Sequence, residues 1–336
     1  MSDAATIPDL AFVCCVEAGA LESQTIRMVR SLREHGGRFA NLEIVAVTPR
    51  FGPALAPRTL EFFRKYNVAY IRPQIESKYS WFNFLNKPLA LFEAEKIIEA
   101  ASVAWLDGDL LFVGEPSELE LRPGEDFAGF PVESKEMGTT GPGDPYENLW
   151  RRSCEILEID IEKLPFQITA QTNERIRLYF NGGIFVYRRA SGFSSSYLNQ
   201  CLKLLDSRII TEAKGFALGF KEMASIGFSV IGLELKWRAL PYSHDYVMLS
   251  KTHSTWFTKA AFKDAKVLHY HDTMWPHFWD TFYECLSEAH PKTADWLRGF
   301  GPMKNEAGLY SRAVAFILRK MRKYRADQYL KEGVVV

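Results

Sequence analysis

The sequence has no excess of either charge, since Lys plus Arg and Asp plus Glu each number 41 in 336 residues. A balanced chain has no general attraction for nucleic acid or acidic surfaces, so any electrostatic role must be local. Cysteine is scarce, and no two cysteines have the two-residue spacing of a zinc or redox motif. We therefore predict reduced, mostly buried thiols at Cys14, Cys15, Cys154, Cys201 and Cys285.

Long apolar runs are also missing. Residues 1–9 are acidic and polar, and the apolar stretch that follows is too short for a signal-peptide core or a membrane span. We expect a cytoplasmic protein without a transmembrane segment. The apolar residues come in short pieces that make up 47% of the chain, enough for one large core or two modest ones.

The first third of the chain alternates apolar strands with amphipathic helices. Strands are predicted at residues 10–16, 42–48 and 68–71, and helices at 21–35 and from Asn86 onward. The second helix is expected to turn Leu91, Ala94, Ile98 and Ala101 toward the core. Such alternation predicts an α/β fold, with a mainly parallel sheet that binds ligands beyond the carboxyl ends of its strands.

The remainder is less regular. Residues 137–148 are rich in Gly, Pro, Thr and Asp, which predicts a mobile loop, and we expect acceptor specificity to lie there and after Phe193. Further elements are predicted as strands at 183–187, 230–233 and 266–270, and as helices at 193–206, 212–226 and 307–330.

Two carboxylates stand at the end of a buried strand, where residues 103–106 lead into Asp107-Gly108-Asp109. Ionised Asp is rarely buried without a partner, so a divalent cation is the natural candidate. The alternative is an ordinary acidic turn. An EF-hand is disfavoured, because Leu111 and Phe112 occupy the positions of its third ligand and its turn glycine.

The order of several motifs resembles that of GT-A-fold nucleotide-sugar glycosyltransferases, of the retaining glycogenin and lipopolysaccharide galactosyltransferase type (glycosyltransferase family 8-like). The resemblance covers residues 10–276. It implies a short tail at 1–9, a nucleotide-binding half at 10–116, an acceptor half at 117–276 and a helical extension at 277–336. The motifs are Asn86-Lys87-Pro88, Trp105-Leu106-Asp107-Gly108-Asp109, Glu115-Pro116, Phe180-Asn181-Gly182-Gly183-Ile184-Phe185-Val186-Tyr187 and Leu268-His269-Tyr270.

The resemblance implies a nucleoside diphosphate sugar donor, usually UDP-linked, and Mn²⁺ or Mg²⁺ as cofactor. Asp107, Asp109 and His269 are the implied metal ligands, with Asp109 the strongest candidate. Carboxylate oxygens suit a hard cation that neutralises the departing diphosphate, and one imidazole nitrogen favours Mn²⁺.

The same resemblance assigns Lys87 to the donor and Asn181 to the neighbourhood of the sugar. Gly182 would let backbone approach the ligand closely. The other candidates for donor binding are Glu17 and Ala18, which follow the first strand, and the aromatic Trp81, with Lys78 and Tyr79 as weaker ones.

Two departures from the family pattern stand out. Trp275-Pro276-His277 occupies the place of a Lys-Pro-Trp motif whose lysine contacts the diphosphate, so His271 or Arg72 would have to supply that charge. Glu222 stands nearest the family's Asp-Gln pair and is a candidate catalytic residue. The resemblance implies retention of configuration, whereas Glu222 as a general base would give inversion.

Other functions stay open. The missing lysine is consistent with an inactive donor-binding or scaffold protein, and a sugar nucleotidyltransferase is disfavoured because residues 17–24 contain one glycine and no arginine. The acceptor is a glycan, lipid or protein, and no nucleic acid partner is expected. The basic segment 319–325 predicts either peripheral contact with the inner face of a membrane or a cap whose Phe316, Ile317 and Leu318 pack on the domain.

Overall fold

A computed structural model describes residues 6–212 and 216–336 of the chain. The strands are β1 Leu10–Cys15, β2 Ile44–Val47, β3 Val68–Ile71, β4 Ser102–Leu106, β5 Leu110–Phe112, β6 Phe127–Pro131, β7 Phe166–Ile168, β8 Arg175–Arg177, β9 Phe180–Arg188, β10 Ile209–Ile210, β11 Trp237–Ala239, β12 Tyr246–Val247, β13 Val267–His269 and β14 Val334–Val335. The helices are α1 Ala20–His35, α2 Pro57–Lys65, α3 Asn86–Ala94, α4 Glu147–Leu157, α5 Phe193–Asp206, α6 Phe216–Gly232, α7 His253–Trp256, α8 Lys259–Asp264, α9 Trp279–Ala289, α10 Pro291–Arg298 and α11 Leu309–Lys331.

The central sheet has seven strands in the order β11-β6-β9-β4-β1-β2-β3. Pairing is parallel throughout except at β9, which runs antiparallel to both β4 and β6. A second sheet has the order β12-β13-β5, with β13 antiparallel to β5. The predicted α/β class with a mainly parallel, mixed sheet and flanking helices is confirmed.

Both faces of the central sheet are covered, which explains why most positions of its strands are apolar. In β1, Phe12 and Cys14 belong to the core layer that contains Met28 of α1. The alternate residue Val13 belongs to the opposite layer, with Leu91 of α3. The period of two residues along the strand therefore sends successive side chains into two different cores.

Two helices differ from the sequence prediction. Helix α3 begins at Asn86, with Pro88 in its first turn, but it ends at Ala94, so Ala101 is exposed and does not face the core. The strand predicted at 230–233 is wrong, because α6 continues to Gly232. Of the residues predicted to begin that helix, Glu212 precedes it, and residues 213–215 lie outside the described residues.

Hydrogen bonds fix much of the segment 137–148, which was predicted as a mobile loop. The Thr139 hydroxyl donates to Glu147 at 2.8 Å. The Asp144 carboxylate accepts from the backbone N–H groups of Thr140 at 3.2 Å and Tyr146 at 2.9 Å. The segment is thus a series of turns tied by side chains, and α4 begins within it at Glu147.

The helix predicted near the C-terminal end of the sequence is confirmed as α11. Arg322 donates to the carbonyl of Phe51 at 2.6 Å, and Tyr329 is buried, so the helix packs against the domain. Strand β14 then pairs with β10. However, Phe316 and Ile317 are each 57% exposed, so the prediction that these two side chains pack on the domain is wrong.

All five cysteines are free, as predicted. Burial raises the pKa of the Cys14 thiol to about 12, which keeps it neutral. Over the described parts of the chain, no helix combines the length and apolarity needed to span a bilayer.

Candidate functional site

The register of two sheets brings the aspartate turn to a late strand. Asp107 follows β4, and its N–H donates to the carbonyl of Gly183 in β9 at 2.9 Å. Across the second sheet, His269 of β13 pairs with Leu110, the first residue of β5. The N–H of Tyr270 also donates to the carbonyl of Asp109 at 3.1 Å. Asp109 and His269 are neighbours because of these pairings.

A third side chain, His271, completes a cluster that can hold a metal ion. One ligand atom from each of Asp109, His269 and His271 lies within 4.8 Å of the others. His269 Nε2 is 3.3 Å from Asp109 Oδ1, and His271 Nδ1 is 3.7 Å from Asp109 Oδ2. His271 has φ of 43°, an uncommon backbone conformation for a residue other than glycine. The sequence signal for this residue is its His-x-His spacing from His269, whereas we named His271 only as a source of charge.

Behind the cluster lies a residue that the sequence analysis missed. The carboxylate of Asp245 is fully buried, and its Oδ1 is 3.0 Å from His269 Nδ1. A carboxylate on one imidazole nitrogen fixes the ring and leaves the other nitrogen for a metal, as in many metalloproteins. Asp245 belongs to no recognisable motif, so only the fold could reveal this contact.

The electrostatics of the cluster favour a cation. Burial alone would lower the pKa of His269, but Asp109 and Asp245 outweigh it and hold that pKa well above its usual range. Burial and the neighbouring His269 lower the pKa of His271 to about 3. The buried Asp245 carboxylate and the partly exposed Asp109 carboxylate thus attract one shared positive charge, which a proton on His269 or a metal ion can provide.

Asp107, a predicted metal ligand, lies outside this three-residue cluster and faces Lys87. Its Oδ1 accepts from the indole N–H of Trp105 at 2.7 Å and is 3.5 Å from Lys87 Nζ. The buried Lys87 ammonium also donates to the carbonyl of Gly182 at 2.5 Å and is 3.4 Å from Glu222. Burial would lower the pKa of Lys87, but the charges of Asp107 and Glu222 outweigh it and raise it.

The two predicted catalytic residues are both buried near Lys87. Glu222 is 1% exposed and accepts a hydrogen bond from the Tyr197 hydroxyl. The Asn181 amide donates to Glu133 at 2.6 Å, while its oxygen accepts from the N–H of Gly183 at 2.6 Å. Each side chain is therefore held in one orientation.

Two adjoining cavities, each of about 460 Å³, form a cleft beside these residues. The one we call the donor cavity contains Lys87, Asp107 and Asp109. The one we call the helix cavity lies under α11 and contains the predicted donor residues Ala18 and Trp81. The residues shared by both are Glu17, Arg50 and Asn83.

The other predicted donor contacts already have partners within the protein. The carboxylate of Glu17 accepts from Arg50 at 2.9 Å and from the Asn86 amide at 2.9 Å. Tyr79 donates to Asp206, which also pairs with Lys78 at 2.6 Å. Lys78 and Tyr79 therefore line neither cavity of the cleft.

Residues 12–215, more than half of the chain, match the sequence model of a family described as the Rhodobacterales glycosyltransferase domain. The chain belongs to this glycosyltransferase family. No curated protein is similar enough in sequence to count as a relative.

Several solved glycosyltransferases are distantly similar to this one. GlyE of Streptococcus pneumoniae TIGR4 is 15% identical with a TM-score of 0.48, and the match covers 88% of this chain and 65% of GlyE. The bifunctional WbbM is 13% identical with a TM-score of 0.48, over 88% and 52% of the two chains. Mouse xyloside xylosyltransferase 1 is 14% identical with a TM-score of 0.42, over 77% and 96%. This glycosyltransferase thus spans less than two thirds of the first two, and similarity at this level assigns no substrate.

Two glycines of this glycosyltransferase have no room for a side chain. A Cβ atom on Gly182 would collide with the Lys87 ammonium. A Cβ atom on Gly183 would lie 2.6 Å from His269 Nδ1, closer than real Cβ contacts. The glycines let β9 run directly against the ammonium and the imidazole, which is a closer approach than any other residue would allow.

Of the two groups proposed to replace the missing lysine, His271 belongs to the candidate metal cluster, whereas Arg72 lies outside the donor cavity. Arg72 donates to the carbonyl of Gly52 and does not line the donor cavity. His277 is exposed, 3.2 Å from Asp272. Among the described residues, the lysines and arginines that line the donor cavity of the glycosyltransferase are Arg50 and Lys87.

Proposed function

We propose that the protein transfers a hexose-like sugar from a nucleoside diphosphate donor, with a UDP-linked sugar favoured, in a reaction that needs a divalent metal. The observation that carries this proposal is the convergence of Asp109, His269 and His271, because Asp109 also lines the donor cavity together with Lys87 and Asp107. Departure of a nucleoside diphosphate leaves negative charge on its phosphates. Because Asp107 and Asp109 are themselves negative, the cavity can accommodate that charge only when a cation is bound.

Asp109, His269 and His271 would hold the metal, and Asp245 would orient His269. When bound, the cation acts as a Lewis acid on the leaving diphosphate. Two imidazoles with one carboxylate favour Mn²⁺ over Mg²⁺, because Mg²⁺ prefers oxygen ligands.

Lys87 and Asn181 are the proposed contacts to the donor sugar and phosphate, and Gly182 brings backbone close to them. For Glu222 we propose a positioning role. Its carboxylate is buried and already engaged by Tyr197 and Lys87, so it is poorly placed to take a proton from an acceptor. We therefore expect retention of configuration, as in the glycogenin type. An inverted product anomer, measured by NMR, would contradict this expectation.

A smaller cavity of about 200 Å³ supports an acceptor site in the half at 117–276. It lies between Met137, at the start of the tied turns, and Phe220 and Met223 of α6. We propose that part of the acceptor binds there. Its apolar lining suits an acceptor with an apolar group, whether glycan, lipid or protein.

The first test is thermal unfolding with UDP, GDP, CDP and ADP, each with and without Mn²⁺. A ligand at about a hundred times its Kd stabilises the fold by roughly 2.7 kcal/mol, which is readily measured. We expect one diphosphate to stabilise the wild type only with Mn²⁺, and Asp109→Asn to abolish the effect. Asp264→Asn, at an exposed aspartate of α8, is the matched control and should respond like the wild type.

Two further measurements test catalysis and the metal site. Slow Mn²⁺-dependent hydrolysis of the stabilising nucleotide sugar supports the enzyme. Binding with neither hydrolysis nor transfer to any acceptor offered favours the scaffold alternative. In Asp245→Asn, Mn²⁺ affinity should fall about 10- to 100-fold, the usual effect of losing a residue that orients a metal ligand.

The outer face of α11 supports a membrane contact for this enzyme. The helix carries seven lysines and arginines against one aspartate. Its exposed apolar side chains are Leu309, Tyr310, Phe316, Ile317, Met321 and Tyr324. An exposed apolar face flanked by cations suits an anionic lipid surface, and we propose the inner face of a membrane.

Flotation of the full chain tests this contact. We expect binding to vesicles that contain anionic lipid but not to neutral ones, and loss of binding in Phe316→Ser/Ile317→Ser. Ile97→Ser, at an exposed apolar residue outside α11, is the control. Equal flotation of the wild type and the double variant, or none by the wild type, would refute the membrane contact.

A further inference from the structure

The helix cavity continues the donor cavity and is closed on one side by α11. The two cavities share Glu17, Arg50 and Asn83, so a single cleft runs from Asp109 to the helix. Side chains from one face of α11 line it, namely Ala315, Leu318, Arg319, Arg322, Lys323 and Ala326.

The two ends of this cleft differ in charge. In the donor cavity, Arg50 and Lys87 stand against three carboxylates, those of Glu17, Asp107 and Asp109. In the helix cavity, Arg50 and three cations of α11 stand against Glu17 alone. A ligand that spans the cleft would thus meet the candidate metal cluster at one end and an excess of charged hydrogen-bond donors at the other.

The two arginines of α11 that line the helix cavity have N–H groups without a hydrogen-bond partner in the described structure. Arg322 is half-buried, and one guanidinium nitrogen donates to the carbonyl of Phe51 at 2.6 Å. A guanidinium carries five N–H groups in a planar fork, so most of those on Arg322 remain free. Arg319 is an exposed residue that lines the helix cavity, and within the described parts of the chain its guanidinium has no hydrogen-bond or ion-pair partner.

We propose that α11 forms part of the donor site, with Arg322 and Arg319 contacting the nucleoside of a donor whose diphosphate lies at Asp109. This inference rests on the proposed function. A nucleoside diphosphate matches both ends of the cleft, because its phosphates bind metal while its ribose and base offer oxygen acceptors. Guanidinium groups donate well to carbonyl oxygens, so a base that carries them, such as uracil or guanine, is favoured over adenine.

The experiment measures the Kd of UDP, GDP, ADP and inorganic pyrophosphate by calorimetry, each with Mn²⁺, on the full chain. The variants are Arg322→Ala, Arg322→Lys and Arg319→Ala. The matched control is Arg325→Ala, which removes the same charge from α11 at an exposed position outside the cleft. Arg319→Ala breaks no bond within the described structure, so a folding defect cannot explain its result.

We expect Arg322→Ala to weaken the preferred nucleoside diphosphate about tenfold and Arg319→Ala severalfold, as for a lost hydrogen bond to a charged group. Arg322→Lys should be intermediate. Pyrophosphate should bind all four variants and the wild type alike, and ADP should bind the wild type more weakly than UDP or GDP does.

Equal weakening of nucleotide and pyrophosphate, or no weakening in either alanine variant, would overturn the role of α11 while leaving the proposed function intact. Tighter wild-type binding of ADP would overturn the preference for a carbonyl-bearing base. Failure of the wild type to bind any of the three nucleotides with Mn²⁺ would instead refute the proposed function, and this inference with it.

Discussion

Two buried lysines in this protein have opposite environments. Lys87, in the cleft, lies 3.5 Å from Asp107 and 3.4 Å from Glu222, and these charges raise its pKa. Lys221 lies between α5 and α11, and among the described residues it donates only to neutral oxygens, those of Leu204 and Tyr329. Burial lowers the pKa of Lys221 to about 7. The difference shows that burial alone does not mark a functional charge, whereas burial with ionic partners in a cleft does.

The largest expected effect comes from removing the paired ammonium. Lys87→Met leaves Asp107 and Glu222 buried without their cation, so the free energy of unfolding should fall by about 3–5 kcal/mol and sugar transfer should be lost. Urea unfolding and a transfer assay measure the two effects. Adding Glu222→Gln removes one unpaired charge and should restore part of the stability but not the activity. A stable, active Lys87→Met variant would contradict the inference that the ionic partners of Lys87 distinguish it from Lys221.

The unpaired lysine should give the protein a pH-dependent stability. The folded pKa of Lys221 is about 7, whereas its ordinary value is 10.5. Between these values the unfolded chain binds more protons, so the free energy of unfolding should rise with pH, by at most about 1.4 kcal/mol per pH unit. In Lys221→Met this rise should disappear and nucleotide binding should persist.

Urea unfolding at pH 7 to 10 measures the slope. Lys203→Met, at an exposed lysine of α5, should keep the slope of the wild type. An unchanged slope in Lys221→Met would show that Lys221 stays charged in the folded protein.

A smaller effect is expected at the hydroxyl that supports Glu222. Tyr197→Phe removes a hydrogen bond to a buried carboxylate, which should lower the free energy of unfolding by about 1.5–3 kcal/mol. If Glu222 positions Lys87, the variant should also raise the KM for the donor. Donor KM and urea unfolding test this, and a changed kcat at constant KM would argue for a direct role of Glu222 in the reaction.

The smallest effect is expected at the corresponding hydroxyl beside Lys221. Tyr329 donates to the carbonyl of Leu205 at 2.8 Å, and both partners are neutral. Tyr329→Phe should therefore lower the free energy of unfolding by about 1 kcal/mol at pH 9, without changing donor KM. Tyr324→Phe, at an exposed tyrosine of the same helix, should change neither. A loss as large as that of Tyr197→Phe would erase the distinction between the two sites.

The sequence predicted one lysine of this pair and not the other. Lys87 belongs to a motif that accompanies a strand-end aspartate pair. Lys221 lies in an apolar stretch of the sequence, and its contact with Tyr329 of α11 is evident only from the fold. The strand wrongly predicted at 230–233 has a related cause. Helix α6 has buried residues around much of its circumference, such as Ala224, Phe228 and Val230, and so lacks the amphipathic period that distinguishes a helix.

Local sequence patterns predicted two members of the candidate metal cluster. Asp109 and His269 were named from motifs, and β5 and β13 bring them together. The proposed roles of His271 and Asp245 depend on a backbone conformation and on a buried contact between distant segments. The His-x-His spacing does not reveal that backbone conformation, and Asp245 belongs to no motif. The apolar face of α11 is readable in the sequence, but which side faces water is decided by packing.

The tight approach of β9 also limits how the family can vary. At position 183, even a single methyl group would displace the His269 ring, and at position 182 it would displace the Lys87 ammonium. Substitution by alanine, the smallest possible increase in size, is therefore disfavoured at both positions. Relatives that keep the imidazole and the ammonium should keep both glycines, and relatives that have lost either side chain should be free to replace the glycine beside it.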